Sequence, residues 1–253
     1  MLSSLHNVIS KISGRLPGNL GIRLDNAPVC TFTFDDCPRS ALENAGAILE
    51  RHGLVGTFFV AGATLEQPSG KYAMLGSGDL KTLVRRGHEL GCHSYSHRSF
   101  RSTPIEEMRA DLDRNREVLL RASGVESLTS FAYPYGEANW TAKTEIAKRF
   151  AAARGVRPGI NGRILDLAQL RAVCIQAEKF SERHIQSLIQ RTLRTRGWLI
   201  FCTHEVESSP SFFGCTERQF ERTVEMVVAS RIEVLSMRSA VGRIMHRAND
   251  SGS

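Results

Sequence analysis

Short apolar runs of strand character alternate with helix-patterned segments along nearly the whole chain, and this alternation constrains the fold more than any other feature. Residues 29–34 (VCTFTF), 55–60, 88–92, 128–132, 170–175, 198–202 (WLIFC) and 232–235 read as strands, rich in β-branched and aromatic residues and bounded by turn residues. Between them, 41–51, 79–86, 103–122, 141–150 and 238–246 carry the apolar spacing of helices. Ser181 caps a further helix bearing Ile185, Leu188, Ile189 and Leu193, and Thr216 with Gln219 forms a capping box before Phe220, Val224 and Val227. Thr103 and Glu106 predict another such box, with Pro104 in the first turn. Strand–helix alternation with no dividing linker implies a parallel sheet covered by helices. The expected fold is α/β: an irregular (β/α) barrel of about seven parallel strands, a single domain over 25–247. The length of 253 residues suits one such domain.

The ends read differently. In 1–24, Leu5, Val8, Ile9, Ile12 and Leu16 fall on one face of a helix, with Lys11 and Arg15 beside it. That amphipathic extension either packs on the domain or lies on a membrane surface. Residues 248–253 are expected to form a disordered tail. A composition with 42% hydrophobic and 23% charged residues excludes a largely disordered chain. No run approaches the roughly 18 apolar residues of a membrane-spanning helix. The net charge of +7 would suit an anionic lipid or a phosphorylated substrate, but the basic residues are scattered and no nucleic-acid module is visible. The six cysteines include no C-x-x-C pair, and Cys30, Cys92 and Cys202 lie inside strand runs. They read as free thiols in a reducing compartment. With no export signal at the start, the expected location is cytoplasmic, at the inner face of the membrane if the amphipathic extension lies there.

In barrels of this kind the chemistry gathers at the C-terminal ends of the strands. The first strand runs into Asp35-Asp36, two carboxylates leaving the core together, where charge needs a partner or a metal. The third runs into His93-Ser94-Tyr95-Ser96-His97, whose i, i+4 imidazoles can share one side of a helical turn and, with a carboxylate, bind one metal ion. The fourth enters Pro134-Tyr135-Gly136, a turn that can aim a backbone N–H at an oxyanion. The strand at 198–202 leads to His204, a general-acid candidate. His6, His52, His88, His184 and His246 read as structural.

These four stations, in this order, resemble the polysaccharide deacetylase family, carbohydrate esterase family 4. The matching stretches are Thr33-Phe34-Asp35-Asp36, His93-Ser94-Tyr95-Ser96-His97, Phe131-Ala132-Tyr133-Pro134-Tyr135-Gly136 and Leu199-Ile200-Phe201-Cys202-Thr203-His204. The resemblance implies a metal-dependent hydrolase that removes an N-linked acyl group, acetyl first, from an amino sugar in a polysaccharide, oligosaccharide or lipid-linked glycan. It also admits a deformylase of a lipid-linked formamido sugar. A small-amide amidohydrolase and a non-catalytic carbohydrate-binding homologue are the rivals. By the resemblance, Asp36, His93 and His97 hold a divalent metal, zinc first, with cobalt, nickel or manganese as alternatives. Asp35 is the base, His204 the acid, and the Tyr135 N–H the oxyanion donor.

Four departures mark a divergent subgroup. Cys37 stands where the family usually has Gly. Ala132 stands where many members carry an Arg that pairs with the base. Glu205 follows the acid histidine where Asp is common. The Asp-Trp motif that tunes that histidine is absent from 155–173, where Arg157, Arg171 or Asp166 are the candidate substitutes.

Overall fold

The structure is a computed structural model that describes residues 22–23, 27–69, 72–162 and 164–250. Its main sheet has eight strands: β1 (Val29–Phe34), β2 (Thr57–Val60), β3 (Glu89–Cys92), β4 (Ser130–Ala132), β5 (Ala152–Arg154), β6 (Val173–Cys174), β7 (Trp198–Thr203) and β8 (Glu233–Val234). Every pairing in it is parallel, in the order β6-β7-β1-β2-β3-β4-β5, and β8 pairs with β1.

β1 is the hub. All six of its residues pair with β7. On its other edge, Val29 and Cys30 pair with β8, and Thr33 and Phe34 pair with β2. Two strands share one edge, which makes the barrel irregular. The strand β5 was missed in the sequence, because 150–156 (FAAARGV) holds alanines and an arginine in place of β-branched residues. Among the described residues, no helix stands between β5 and β6. Leu170 instead bridges Arg154 in parallel, Asn161 bridges Trp198 antiparallel, and 155–172 thereby closes the seam. Leu170 is thus engaged with β5, so β6 is shorter than the expected 170–175.

Side chains alternate between the two faces of the sheet. Phe32 and Phe34 of β1, Phe58 and Val60 of β2, Leu90 and Cys92 of β3 and Phe201 of β7 pack in the outer layer with the helices. These helices are α1 (Ala47–Arg51, preceded by π-wound turns at Ala41–Gly46), α2 (Ser77–Arg85), α3 (Ile105–Ser123), α4 (Trp140–Arg149), α5 (Glu182–Thr195) and α6 (Glu217–Ala229). Phe34 stacks on Phe58 with centroids 4.5 Å apart, and Phe32 on Phe201 at 5.6 Å. Each such pair adds about 0.5–1.5 kcal/mol beyond area burial.

The opposite face buries Val29, Phe59, Ala132, Ala152, Trp198, Ile200 and Cys202, against which α7 (Met237–Asp250) packs Met237, Ala240 and Val241. Gly91 is required on this face, since a Cβ there would come within 2.5 Å of the Phe59 ring. At the base of the sheet the buried Glu89 carboxylate accepts from Thr57 Oγ1 (2.9 Å), Ser130 Oγ (2.6 Å) and the Arg238 N–H (2.8 Å). It ties the first turn of α7 to β2, β3 and β4.

Ser181 and the Thr216–Gln219 box cap α5 and α6 as expected. The Thr103 box does not form. Thr103 Oγ1 donates to Ser99 O at 2.7 Å, Pro104 takes the N-cap place, and α3 starts at Ile105. Of the 1–24 extension, only Ile22–Arg23 is described, as a short strand antiparallel to Ile164–Leu165. The amphipathic helix expected before it lies outside the described residues. α7 continues to Asp250, into the stretch expected as a tail, and 251–253 lie outside the described residues. Among the described residues, no helix is long and apolar enough to cross a membrane.

Candidate functional site

β1 delivers two carboxylates that part at once. Asp35 keeps the strand course, its N–H donating to Thr203 O at 3.0 Å. Asp36 and Cys37 then turn left-handed, with φ of 56° and 55°. That turn, a conformation costly for non-glycine residues, sends the two side chains to different partners. The following helix opens in the wide π form, a winding often found beside functional sites.

Asp36 meets the histidines that follow β3. Its Oδ1 lies 3.4 Å from His93 Nε2 and 3.1 Å from His97 Nε2. The ligand atoms of all three residues lie within 4.8 Å of one another. Asp36 Oδ1 is buried without a hydrogen-bond partner. A buried anionic oxygen beside two imidazole nitrogens calls for a cation. His93 Nδ1 lies 2.8 Å from Ala132 O. A carbonyl can only accept, so Nδ1 carries the proton and Nε2 presents its lone pair toward Asp36. Burial lowers the His93 pKa, which favours the neutral ligand form. One carboxylate and two imidazoles, with one tautomer locked from behind, fit a divalent cation.

The His93–His97 segment is not a helical turn, in contrast to the spacing argument. Ser94 and His97 have φ of 61° and 52°. The loop is held by Asp111 of α3, which accepts from Tyr95 N–H at 2.6 Å and Ser96 N–H at 3.0 Å. Ser94 Oγ accepts from His97 N–H at 3.0 Å. Nothing in the sequence marks Asp111, because an acidic residue on a long helix is usually a solvated one.

Asp35 meets Arg154 instead. Arg154 Nη2 donates to Asp35 Oδ1, and both residues are buried. Burial alone would raise the Asp35 carboxyl, but Arg154, His93 and His204 outweigh it and hold it below the ordinary value. The guanidinium lies over the Phe59 ring, 4.8 Å from its centroid. The candidate substitutes for the Asp-Trp motif are held elsewhere: Arg171 donates to Pro158 O, Asp166 pairs with Lys143, and Arg157 O accepts from Ala172 N–H. The partner of Asp35 is Arg154, at the end of the overlooked β5. A single arginine closing an alanine-rich run was its only signal.

His204 follows β7 on the same rim. Its Nδ1 lies 3.4 Å from Asp36 Oδ2, and its ring stacks on Phe213 with centroids 5.2 Å apart. Burial works against the cation, yet Asp36, Asp35 and Glu205 raise the His204 pKa above its ordinary value. Glu205 is itself buried and accepts from the Ser211 N–H. Tyr135 has φ of 59° within the Pro134–Gly136 turn, and its exposed ring packs edge-on to His97 at 4.8 Å. Gly136 is required there, since a Cβ would fall 2.4 Å from Val156 Cγ2. His88, by contrast, is structural: Nδ1 accepts from Gly56 N–H at 3.1 Å, and Nε2 lies 2.9 Å from Glu50 Oε1.

Comparison with known proteins gives this arrangement a context. The polysaccharide deacetylase family model matches residues 24–152. A bifunctional xylanase/deacetylase from Pseudobutyrivibrio xylanivorans is 26% identical over 129 residues, covering 51% of this chain and 20% of that protein. The chain therefore spans about a fifth of that relative's length. Among solved structures, a CE4 family pseudoenzyme from Bacillus anthracis superposes with TM-score 0.61 at 18% identity, covering 85% of this chain and 66% of the other. A family 4 acetyl xylan esterase from Clostridium thermocellum, in complex with a cobalt ion, gives TM-score 0.60 at 17% identity, covering 84% and 89%. At these identities the two structures support the fold.

Proposed function

Because the chain belongs to the polysaccharide deacetylase family, we propose that it is a metal-dependent hydrolase removing an N-linked acyl group, acetyl first, from an amino sugar of a glycan. The observation that carries this reading is the convergence of Asp36, His93 and His97 with Asp35 and His204 at one strand rim. A divalent cation held by Asp36, His93 and His97, zinc in first place, would supply Lewis acidity and lower the pKa of water toward about 7.

The chain's own groups do the rest. Asp35, kept ionised by Arg154, takes the proton of the attacking water. The Tyr135 N–H donates to the developing oxyanion. His204 protonates the leaving nitrogen; its raised pKa keeps the proton available near neutrality. Since Nδ1 faces Asp36, Nε2 is the nitrogen for the substrate. The exposed rings of Tyr135 and Phe213, each packed on a site histidine, offer apolar surface to a sugar face. We further propose a cytoplasmic location, supported by six free cysteines.

The test is a screen of metal-loaded protein against acetylated and formylated amino sugars, lipid-linked glycans and small amides, read by acid release. Acetate release that stops with a chelator and returns with zinc, cobalt, nickel or manganese supports the reading. Formate alone would make it a deformylase, and acid from small amides alone an amidohydrolase. Sugar binding without acid release under every metal would overturn catalysis.

A further inference from the structure

Two thiols sit in the wall below the proton-transfer groups and take no part in the reaction described above. Cys174 ends β6 and Cys202 lies near the end of β7, directly opposite in the parallel register. Register partners on adjacent strands lie about 4.7–4.9 Å apart, inside the roughly 4.4–6.8 Å Cα window of a disulfide. Their sulfurs are 2.6 Å apart, and both cysteines are free. The backbone around them is tied down: Ile175 N–H donates to Cys202 O at 2.7 Å, and Thr203 Oγ1 donates to Ile175 O at 2.9 Å. One member of the pair is open to solvent, since Cys174 is exposed while Cys202 is buried.

The surroundings favour sulfur chemistry at this pair. Arg154 is buried, and its Nε and Nη1 have no hydrogen-bond partner. The guanidinium is electrostatically coupled to both sulfurs as well as to Asp35. The hydrogen bond to Cys202 lowers the Cys174 thiol; burial opposes this, and Arg154 adds to it. For the other thiols burial is the largest cause: Cys92 and Cys215 are pushed up to about 12, and Cys30 and Cys37 are also raised.

We propose that Cys174 and Cys202 form a reversible dithiol–disulfide modification site, oxidised by peroxide. The Cys174 thiolate attacks one peroxide oxygen. An S–O bond forms, the O–O bond breaks, and the departing hydroxide takes up the proton that Cys174 had lost, giving water. Cys202 sulfur then attacks the Cys174 sulfenic sulfur. An S–S bond forms and the S–O bond breaks, and the hydroxide leaves as a second water with the Cys202 proton. Two thiols and one hydrogen peroxide thus become one disulfide and two waters. Thiol reductants reverse the change by exchange.

The experiment treats the full chain with stoichiometric hydrogen peroxide, blocks the remaining thiols and maps peptides by mass spectrometry. The expected result is one linked peptide pair, Cys174 to Cys202, lost on treatment with dithiothreitol. Cys30, Cys37, Cys92 and Cys215 remain blocked thiols. Cys202→Ser should stop at a Cys174 sulfenic acid that dimedone traps, and Cys174→Ser should leave Cys202 reduced. Cys174 driven to sulfinic acid with Cys202 intact, a linkage to any other cysteine, or both thiols untouched would overturn the proposal. The map reads sulfur alone, so its outcome is independent of whether the chain hydrolyses an acylated sugar.

Discussion

From β1 to β5 the chain advances by strand–helix units, whereas between β5 and β6 it crosses 155–172 on two isolated bridges to the main sheet and the short pairing of Ile164–Leu165 with Ile22–Arg23. The two regions contribute differently to the rim. The regular region supplies Asp36, His93 and His97, the cation-holding side. Arg154, at the end of β5, pairs with Asp35, and His204 follows β7 beside Asp36; in the proposed reaction these are the groups that handle protons. The family model ends at 152, before both of them. Cation binding and proton transfer can therefore be perturbed separately, and the separation is open to experiment.

The largest effect should come from the regular side. Asp36→Ala or His93→Ala should abolish acid release and weaken cation binding by more than the roughly 10–100-fold typical of changes behind a ligand, measured by calorimetry. Cation binding retained in either variant would break the division. Next is Asp35→Asn, which keeps an oxygen for Arg154. It should hold the cation with near-native affinity yet lose about 10²–10⁴-fold in turnover.

Arg154→Met tests the irregular side through pH. Arg154 helps hold the Asp35 carboxyl below its ordinary value, so the base stays ionised well into acid. Without the guanidinium that pKa rises, and the acid limb of the turnover profile moves to higher pH. Turnover then falls about tenfold per unit below the new limb. Removing one partner of a buried ion pair also costs about 3–5 kcal/mol, so Arg154→Lys serves as the companion: it keeps a cation and should keep the limb. An unmoved limb in a folded Arg154→Met protein would detach Arg154 from the base.

The smallest effect concerns the turn that separates the two carboxylates. Cys37 sits at φ 55°, at the place where the resembled family usually has glycine. Cys37→Ala and Cys37→Gly both lose the thiol that reaches Phe59 O, but only glycine relieves the left-handed cost. Cys37→Gly should be the more stable of the two by about 1 kcal/mol, read by urea denaturation.

How legible each part was in the sequence follows the same division. The strands β1 and β7 are dense in β-branched and aromatic residues, and their bounds were read to within a residue. Asp36, His93 and His97 were legible because metal ligands are few in type and each follows a strand. Arg154 was not, since its pairing with Asp35 spans 119 positions and its strand is mostly alanine. Asp111 was hidden for a related reason: it holds its loop through two backbone N–H groups and one serine hydroxyl, and neither kind of donor singles out its partner in a sequence. The Thr103 capping box failed because a nearer carbonyl took the hydroxyl.

The double pairing of β1 has a consequence in time. Its lower residues are held by β7 and β8 and its upper ones by β7 and β2, so its amides should be among the last to exchange with deuterium. The bridged crossing at 155–172 has fewer such ties and should open earlier and more often. On warming, the neighbourhood of Arg154 would then loosen while the strand that leads to Asp36 is still intact. Such a protein would fall silent before it released its ion, and cooling would restore it without reloading.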